Sequence, residues 1–350
     1  MTAGKGKGSF PVWKKLVFAG AVCALVLGGL NLGWNTNTFG PDEVCHGLLP
    51  AGEMERTLGR SGRLESDDYK NAPGKGDVEF RCSVRQTSKL LGHKDAEVRI
   101  GAYQERADFA FTSTAWRAPA RMSYFSGPAT GAVSDSTGWV MLPESCWGKS
   151  GDSPLSEKPP VYVIEASATG AGMKQRELAR MLVKTAGAVS QRAGCASGNA
   201  AEDPEPLPAA SVRPMDSAKA CGIPGLALDV SGDTAKGRPV ERARSLSAKT
   251  EPVWACDLLL GEKGAPYASF AVVRDTRMTS AISQSLAHHS PDAGVMASCG
   301  GEDTYFTMKT GARYAKASEA SGSRLPDEKT LFKKFVDGAK EQMNCGTSAP

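Results

Sequence analysis

Histidine is scarce in this sequence, four in 350 residues, and no Cys-x-x-Cys, His-Glu-x-x-His or Gly-x-Ser-x-Gly pattern occurs in it. The first two absences remove the common zinc frameworks, and the third removes the strand-to-helix nucleophile turn of many hydrolases. Excess basic charge is missing as well. Lys5, Lys7, Lys14 and Lys15 are the only charged residues before the N-terminal apolar stretch, and without them 38 basic residues face 38 acidic ones. So balanced a chain lacks the field that draws phosphate backbones, which excludes nucleic acid as the expected partner. No residue set points to a cofactor. A composition of 23% charged and 41% hydrophobic residues is that of a folded chain, long enough for two domains.

What is present begins with Leu16 to Leu30, a stretch without charge or proline that continues, interrupted, to Leu32 and Trp34. Its two readings are a cleaved signal and a retained anchor. The stretch ends in Gly33-Trp34-Asn35 without a small-x-small site, and Trp34 sits where an interfacial aromatic would lie, which favours a transmembrane anchor over residues 16–34 behind a cytoplasmic tail, 1–15. The lysines on that tail would then leave the rest of the chain extracellular, and the membrane itself would be a partner through one span. Cys23 lies inside the stretch, where a small free thiol behaves as an apolar side chain.

The other eight cysteines fall into two sets whose surroundings match in order: Cys45, Cys82, Cys146 and Cys195, then Cys221, Cys256, Cys299 and Cys345. Each first cysteine opens a similar phrase, Cys45-His46-Gly47-Leu48 and Cys221-Gly222-Ile223. Each second lies in a strand-like run, 78–84 and 253–258. Each third follows a short apolar stretch, and each fourth closes a helical pattern. The first such helix carries Leu178, Met181, Leu182 and Val189, and the second carries Leu331, Phe335, Val336 and Ala339, both at helical spacing. Four coincidences in the same order read as an internal duplication.

The expected fold is therefore α+β: an N-terminal transmembrane helix, a tether over 35–44, then two tandem units over 45–195 and 221–345, with a tail over 346–350. Each unit should be a mainly antiparallel sheet with flanking helices and two disulfides. Expected strands run over 78–84, 97–103, 109–114, 138–142 and 161–166, then 254–260, 268–273, 294–297 and 304–310, with a helix over 278–288. Residues 196–220 carry Pro204, Pro206, Pro208 and Pro214 among small and acidic residues, the composition of a semi-extended linker. Four cysteines allow three pairings per unit, and sequence does not choose among them. The expectation is first with second and third with fourth.

Several smaller patterns have structural readings. Gly148-Lys149-Ser150 lacks the earlier glycine of a phosphate loop, and Gly4, Gly6 and Gly8 neither follow a strand nor open a helix. His288 and His289 are adjacent, so on a helix they point about 100° apart and cannot form an i, i+4 ligand pair. His46 and His93 have no neighbouring acid–nucleophile pattern. Trp116, Trp139, Trp147 and Trp254 read first as packing residues.

Residues 116–136, rich in Ser, Gly, Ala and Pro, have no counterpart of the same length in the second half. A loop that departs from a repeated scaffold is where binding is expected, with Trp116, Arg117, Arg121, Tyr124 and Phe125 as its candidate residues.

The short cysteine-glycine phrases, the cysteine in a central strand and the cysteine-terminated last helix resemble uncharacterised actinomycete cell-envelope proteins, across residues 45 to 345. The resemblance implies an extracytoplasmic place and, at most, a small α+β sheet domain of the binding kind, and no active site carries over from it. The functional expectation is thus a tandem binding or interaction module, accessory to an envelope protein or taking a small ligand. The alternative is an extracellular hydrolase-like enzyme with a site between the units or near residues 116–136.

Overall fold

The computed structural model describes residues 12–70, 72–88, 95–105, 111, 115–147, 161–170, 172–196, 203–230, 239–246, 251–261, 265–286 and 294–345. The first half contains α1 (Val12–Asn35), β1 (Glu43–Val44), β2 (Leu49–Pro50), α2 (Ala51–Leu58), β3 (Arg63–Lys70), β4 (Phe80–Thr87), β5 (Ala96–Glu105), β6 (Ser123–Phe125), β7 (Gly131–Val133), β8 (Thr137–Met141), β9 (Val161–Thr169) and α3 (Gln175–Ala193). The second half contains β10 (Val212–Pro214), β11 (Pro239–Ala243), β12 (Val253–Leu260), β13 (Ala268–Val273), α4 (Thr276–Leu286), β14 (Val295–Cys299), β15 (Glu302–Thr310), α5 (Ala312–Ser318) and α6 (Glu328–Gln342). The expected strand over 109–114 falls largely outside the described residues.

The transmembrane part of the expected fold is corrected. Among the described residues no helix is long and apolar enough to cross a membrane. Helix α1 does form, but its uninterrupted apolar part, residues 16–30, rises only about 22 Å at 1.5 Å per residue, against a hydrocarbon layer of roughly 30 Å. Lys14 and Lys15 bound it on one side and Asn31 on the other, and Gly20, Gly28 and Gly29 dilute it. The molecule is instead mostly sheet, with six α-helices among the described residues and four disulfides. Helix α1 joins the body at its C-terminal end, where the Ser88 hydroxyl donates to Asn35 Oδ1 at 2.7 Å and the Leu64 N–H donates to Asn37 Oδ1 at 3.1 Å.

Two antiparallel sheets carry the fold, one ordered β3-β4-β5-β9-β8-β7-β6 and the other β10-β11-β12-β13-β15-β14. Within them the runs β3-β4-β5-β9-β8 and β11-β12-β13-β15-β14 repeat one topology. The cysteines sit at matching places in it. Cys82 lies in β4 and Cys256 in β12, Cys146 follows β8 and Cys299 ends β14, and Cys195 and Cys345 lie just past α3 and α6. The disulfides are Cys45–Cys82, Cys146–Cys195, Cys221–Cys256 and Cys299–Cys345, all within their own half.

Side-chain alternation explains how the sheets stack. In β9, Tyr162, Ile164 and Ala166 pack with Met54 of α2 and with Leu178 and Leu182 of α3, while Val161 and Val163 point the other way. In β12, Trp254, Cys256 and Leu258 pack with Leu331 and Phe335 of α6, while Val253 and Ala255 point the other way. Those other faces meet in a third core that joins Trp139, Met141, Val161 and Val163 to Val253, Ala255, Ala271, Val273 and Ile282. The result is four layers, helix, sheet, sheet and helix, so helices cover one face of each sheet and the other sheet covers part of the second. Strands such as Ala268–Val273, buried at every residue, carry apolar side chains on both faces, with Ser269 the one polar residue, because both faces are covered.

The proline-rich segment lies along this seam. Leu207 N–H donates to Tyr124 O at 2.8 Å in the first half, and Arg244 donates to Pro208 O at 2.9 Å from the second. Its end forms β10, which pairs with β11.

Candidate functional site at the seam between the sheets

The five candidate residues of the 116–136 loop divide by exposure. Trp116, Tyr124 and Phe125 are buried, Trp116 edge-on to Trp139 with ring centroids 4.5 Å apart. They are packing residues of the sheet cores, and the first two hold the sheets together. Arg117 and Arg121 are exposed. Burial raises the carboxyl of Asp257, while a 2.6 Å hydrogen bond from Ser269 and the charges of Arg121 and Arg242 pull it down. Arg121 thus serves the inter-sheet polar cluster. Gly148-Lys149-Ser150, His93, His288 and His289 lie outside the described residues. His46 meets Asp68 at 3.3 Å on the surface of the first half.

Farther along the same loop, the turn joining β6 to β7 forms one wall of a cleft of about 400 Å³. Ser126, Gly127 and Thr130 come from that turn; Glu251, Pro252, Arg274, Asp275, Thr276, Arg277 and Glu302 come from the second half. Gly127 adopts φ 124°, a backbone region that side chains disfavour, and so allows the turn to reach across. The cleft therefore exists only where the two halves meet.

Asp275 organises it. One carboxylate oxygen caps α4, accepting the N–H groups of Arg277 at 3.1 Å and Met278 at 3.0 Å. The other accepts the hydroxyl of Thr130 at 2.8 Å, across the seam. Arg277 reaches back in turn and donates to Pro128 O at 2.7 Å. Arg274 pairs with Glu302 at 2.7 Å. Burial raises the carboxyl of Glu251, and Arg244, 3.1 Å away, partly offsets this. The described lining thus carries two guanidinium groups and three carboxyl groups on a polar wall, with no histidine or cysteine. Such a surface can pair with both signs of charge on one small molecule.

The expected helix over 278–288 starts two residues late and misses Asp275, although Asp275 directly before Thr276-Arg277-Met278 is an N-cap signal. Its partner Thr130 lies 145 residues away, and no local pattern marks that contact.

One further cluster invites a metal reading. The ligand atoms of Cys221, Glu241 and Cys256 lie within 4.8 Å of one another. The two sulfurs are bonded to each other, and Glu241 is engaged by Cys221 N–H at 2.7 Å and Arg213 at 2.6 Å. The cluster is a buried brace rather than an ion site.

Compared with protein-family models, curated proteins and solved structures, the chain matches none.

Proposed function

We propose that this protein is an extracytoplasmic binding module that takes a small polar ligand bearing both charges in the cleft between its halves. The observation that supports this is the seam itself. Thr130–Asp275 and Pro128–Arg277 fix two walls from opposite halves, and Arg274, Glu251 and Glu302 line the space between them. Four disulfides support the location, since such bonds persist in oxidising compartments. An accessory role beside an envelope protein fits the same scaffold, with the ligand as its signal.

Thermal-shift measurements on the full chain with zwitterionic amino acids, dicarboxylates and sugar phosphates test the reading. A ligand at a hundred times its Kd adds about 2.7 kcal/mol to stability, enough to raise the melting temperature visibly. The zwitterions should give the largest shift, and Arg277→Ala should abolish it. No shift with any class would end the proposal.

A further inference from the structure

The described residues contain four edges of the two large sheets, at β3, β6, β10 and β14. An open edge is a row of unpaired backbone donors and acceptors that another strand can join, so folded proteins blunt edges with charge, proline, bulges, short length or a covering segment. Three of the four are blunted here. Strand β3 carries Arg63, Glu65, Asp67, Asp68 and Lys70, and its register with β4 shifts between Asp68 and Lys70. Strand β6 is three residues long and accepts the Leu207 N–H at Tyr124 O. Strand β10 is three residues long and ends in Pro214.

Among the described residues, strand β14 has none of these devices. Its five residues, Val295-Met296-Ala297-Ser298-Cys299, include no charge and no proline. Val295, Met296 and Ala297 are half-buried, Ser298 is exposed, and among the described residues no strand pairs with the outer edge. Met296 packs at the rim of the inter-sheet core, which therefore stops at this edge.

The repeated strand order shows what such an edge accepts. Strand β8 is the topological counterpart of β14, each pairing with the strand after it, β9 or β15. On its other side β8 carries β7, antiparallel, with Gly131 opposite Val140, Ala132 opposite Trp139 and Val133 opposite Gly138. The first half fills the position with small, uncharged residues of its own chain. We infer that the outer edge of β14 is a docking site for an extended segment of a partner protein, antiparallel, uncharged and built from small and β-branched residues, which adds a seventh strand to the second sheet.

The test uses the full chain and a fluorescent synthetic peptide reproducing residues 129–134 of this protein, the uncharged segment around the strand that β8 already accepts. Anisotropy should rise saturably at up to millimolar peptide, and amide hydrogen exchange should slow within residues 295–299. Ala297→Pro and Ser298→Lys should each weaken binding at least tenfold, whereas Glu65→Lys on the β3 edge should not. Ser298 is exposed, so its variant keeps the test informative if Ala297→Pro fails to fold. Absence of protection at β14 would overturn the inference. So would a concentration-dependent dimer, seen by sedimentation and lost in Ser298→Lys, because the edge would then serve a second copy of this chain.

Discussion

Ser66 and Glu241 hold the same place in the two halves: each lies two residues before the partner of the strand cysteine and accepts the backbone N–H of its half's first cysteine. Cys45 N–H donates to Ser66 Oγ at 3.1 Å, and Cys221 N–H to Glu241 Oε2 at 2.7 Å. Those cysteines have φ of 54° and 60°, left-handed for non-glycine residues, at a cost of roughly 1 kcal/mol or more each. The acceptor offsets that cost. Glu241 also engages Arg213 at 2.6 Å.

Glu241→Ala should therefore destabilise by about 2–3 kcal/mol and Ser66→Ala by about 1 kcal/mol, because a charged acceptor contributes more than a hydroxyl. Urea denaturation midpoints compare them. Equal losses would show that the two positions are not performing one task with different strength.

The bond between Thr130 and Asp275 should couple the halves. Thr130→Val is expected to cost about 1 kcal/mol and Asp275→Ala about 2 kcal/mol, since the latter also removes the cap of α4. In the double variant the losses should fall short of their sum by roughly 0.5–1 kcal/mol. Strict additivity in a denaturation cycle would mean the two residues do not act together.

Glu165 should give stability a pH dependence. Burial, with help from the charge of Glu105, raises its carboxyl from 4.5 to about 7. Between those values the folded state binds more protons than the unfolded one, so the contribution of this residue falls as pH rises from 4.5 through 7. The loss is at most about 3 kcal/mol. Glu165→Gln should leave stability near pH 4 unchanged and increase it near pH 8, a difference read from melting temperatures at the two pH values. An identical shift at both would remove the buried-carboxyl account.

Trp116 belongs to the inter-sheet core, so Trp116→Ala should cost about 3–5 kcal/mol. Either half expressed alone would expose Trp139 and Val163, or Val253 and Ala271, and should bind a hydrophobic dye that the full chain excludes. A soluble, dye-silent half would show that the sheets do not need each other.

Peptide mass mapping of the unreduced protein should recover four bridges, none crossing from one half to the other. Removing the Cys146–Cys195 pair by double serine substitution is expected to cost about 2–5 kcal/mol.

The sequence by itself determined what is local or repeated. The spacing of Leu178, Met181, Leu182 and Val189 sets the buried face of α3, and Asp327 before Glu328 sets the start of α6, its side chain accepting the Thr330 N–H at 2.9 Å. The matched order of eight cysteines carried the repeated topology, because a disulfide fixes which points of the chain must meet. Strand β3, rich in charge and largely exposed, went unexpected because an exposed strand face carries no apolar alternation to reveal it, and β11 because the buried Glu241 breaks its apolar pattern.

Only the tertiary structure decided what covers each apolar surface. Burial is favourable against any apolar partner, so a strand that is apolar on both faces does not name the layer above it. The stacking of the two sheets turned Trp116 and Tyr124 from candidate binding residues into core, and brought Thr130 to Asp275. The cleft and the open edge of β14 follow from the same stacking and pairing, which join residues that no window of sequence contains.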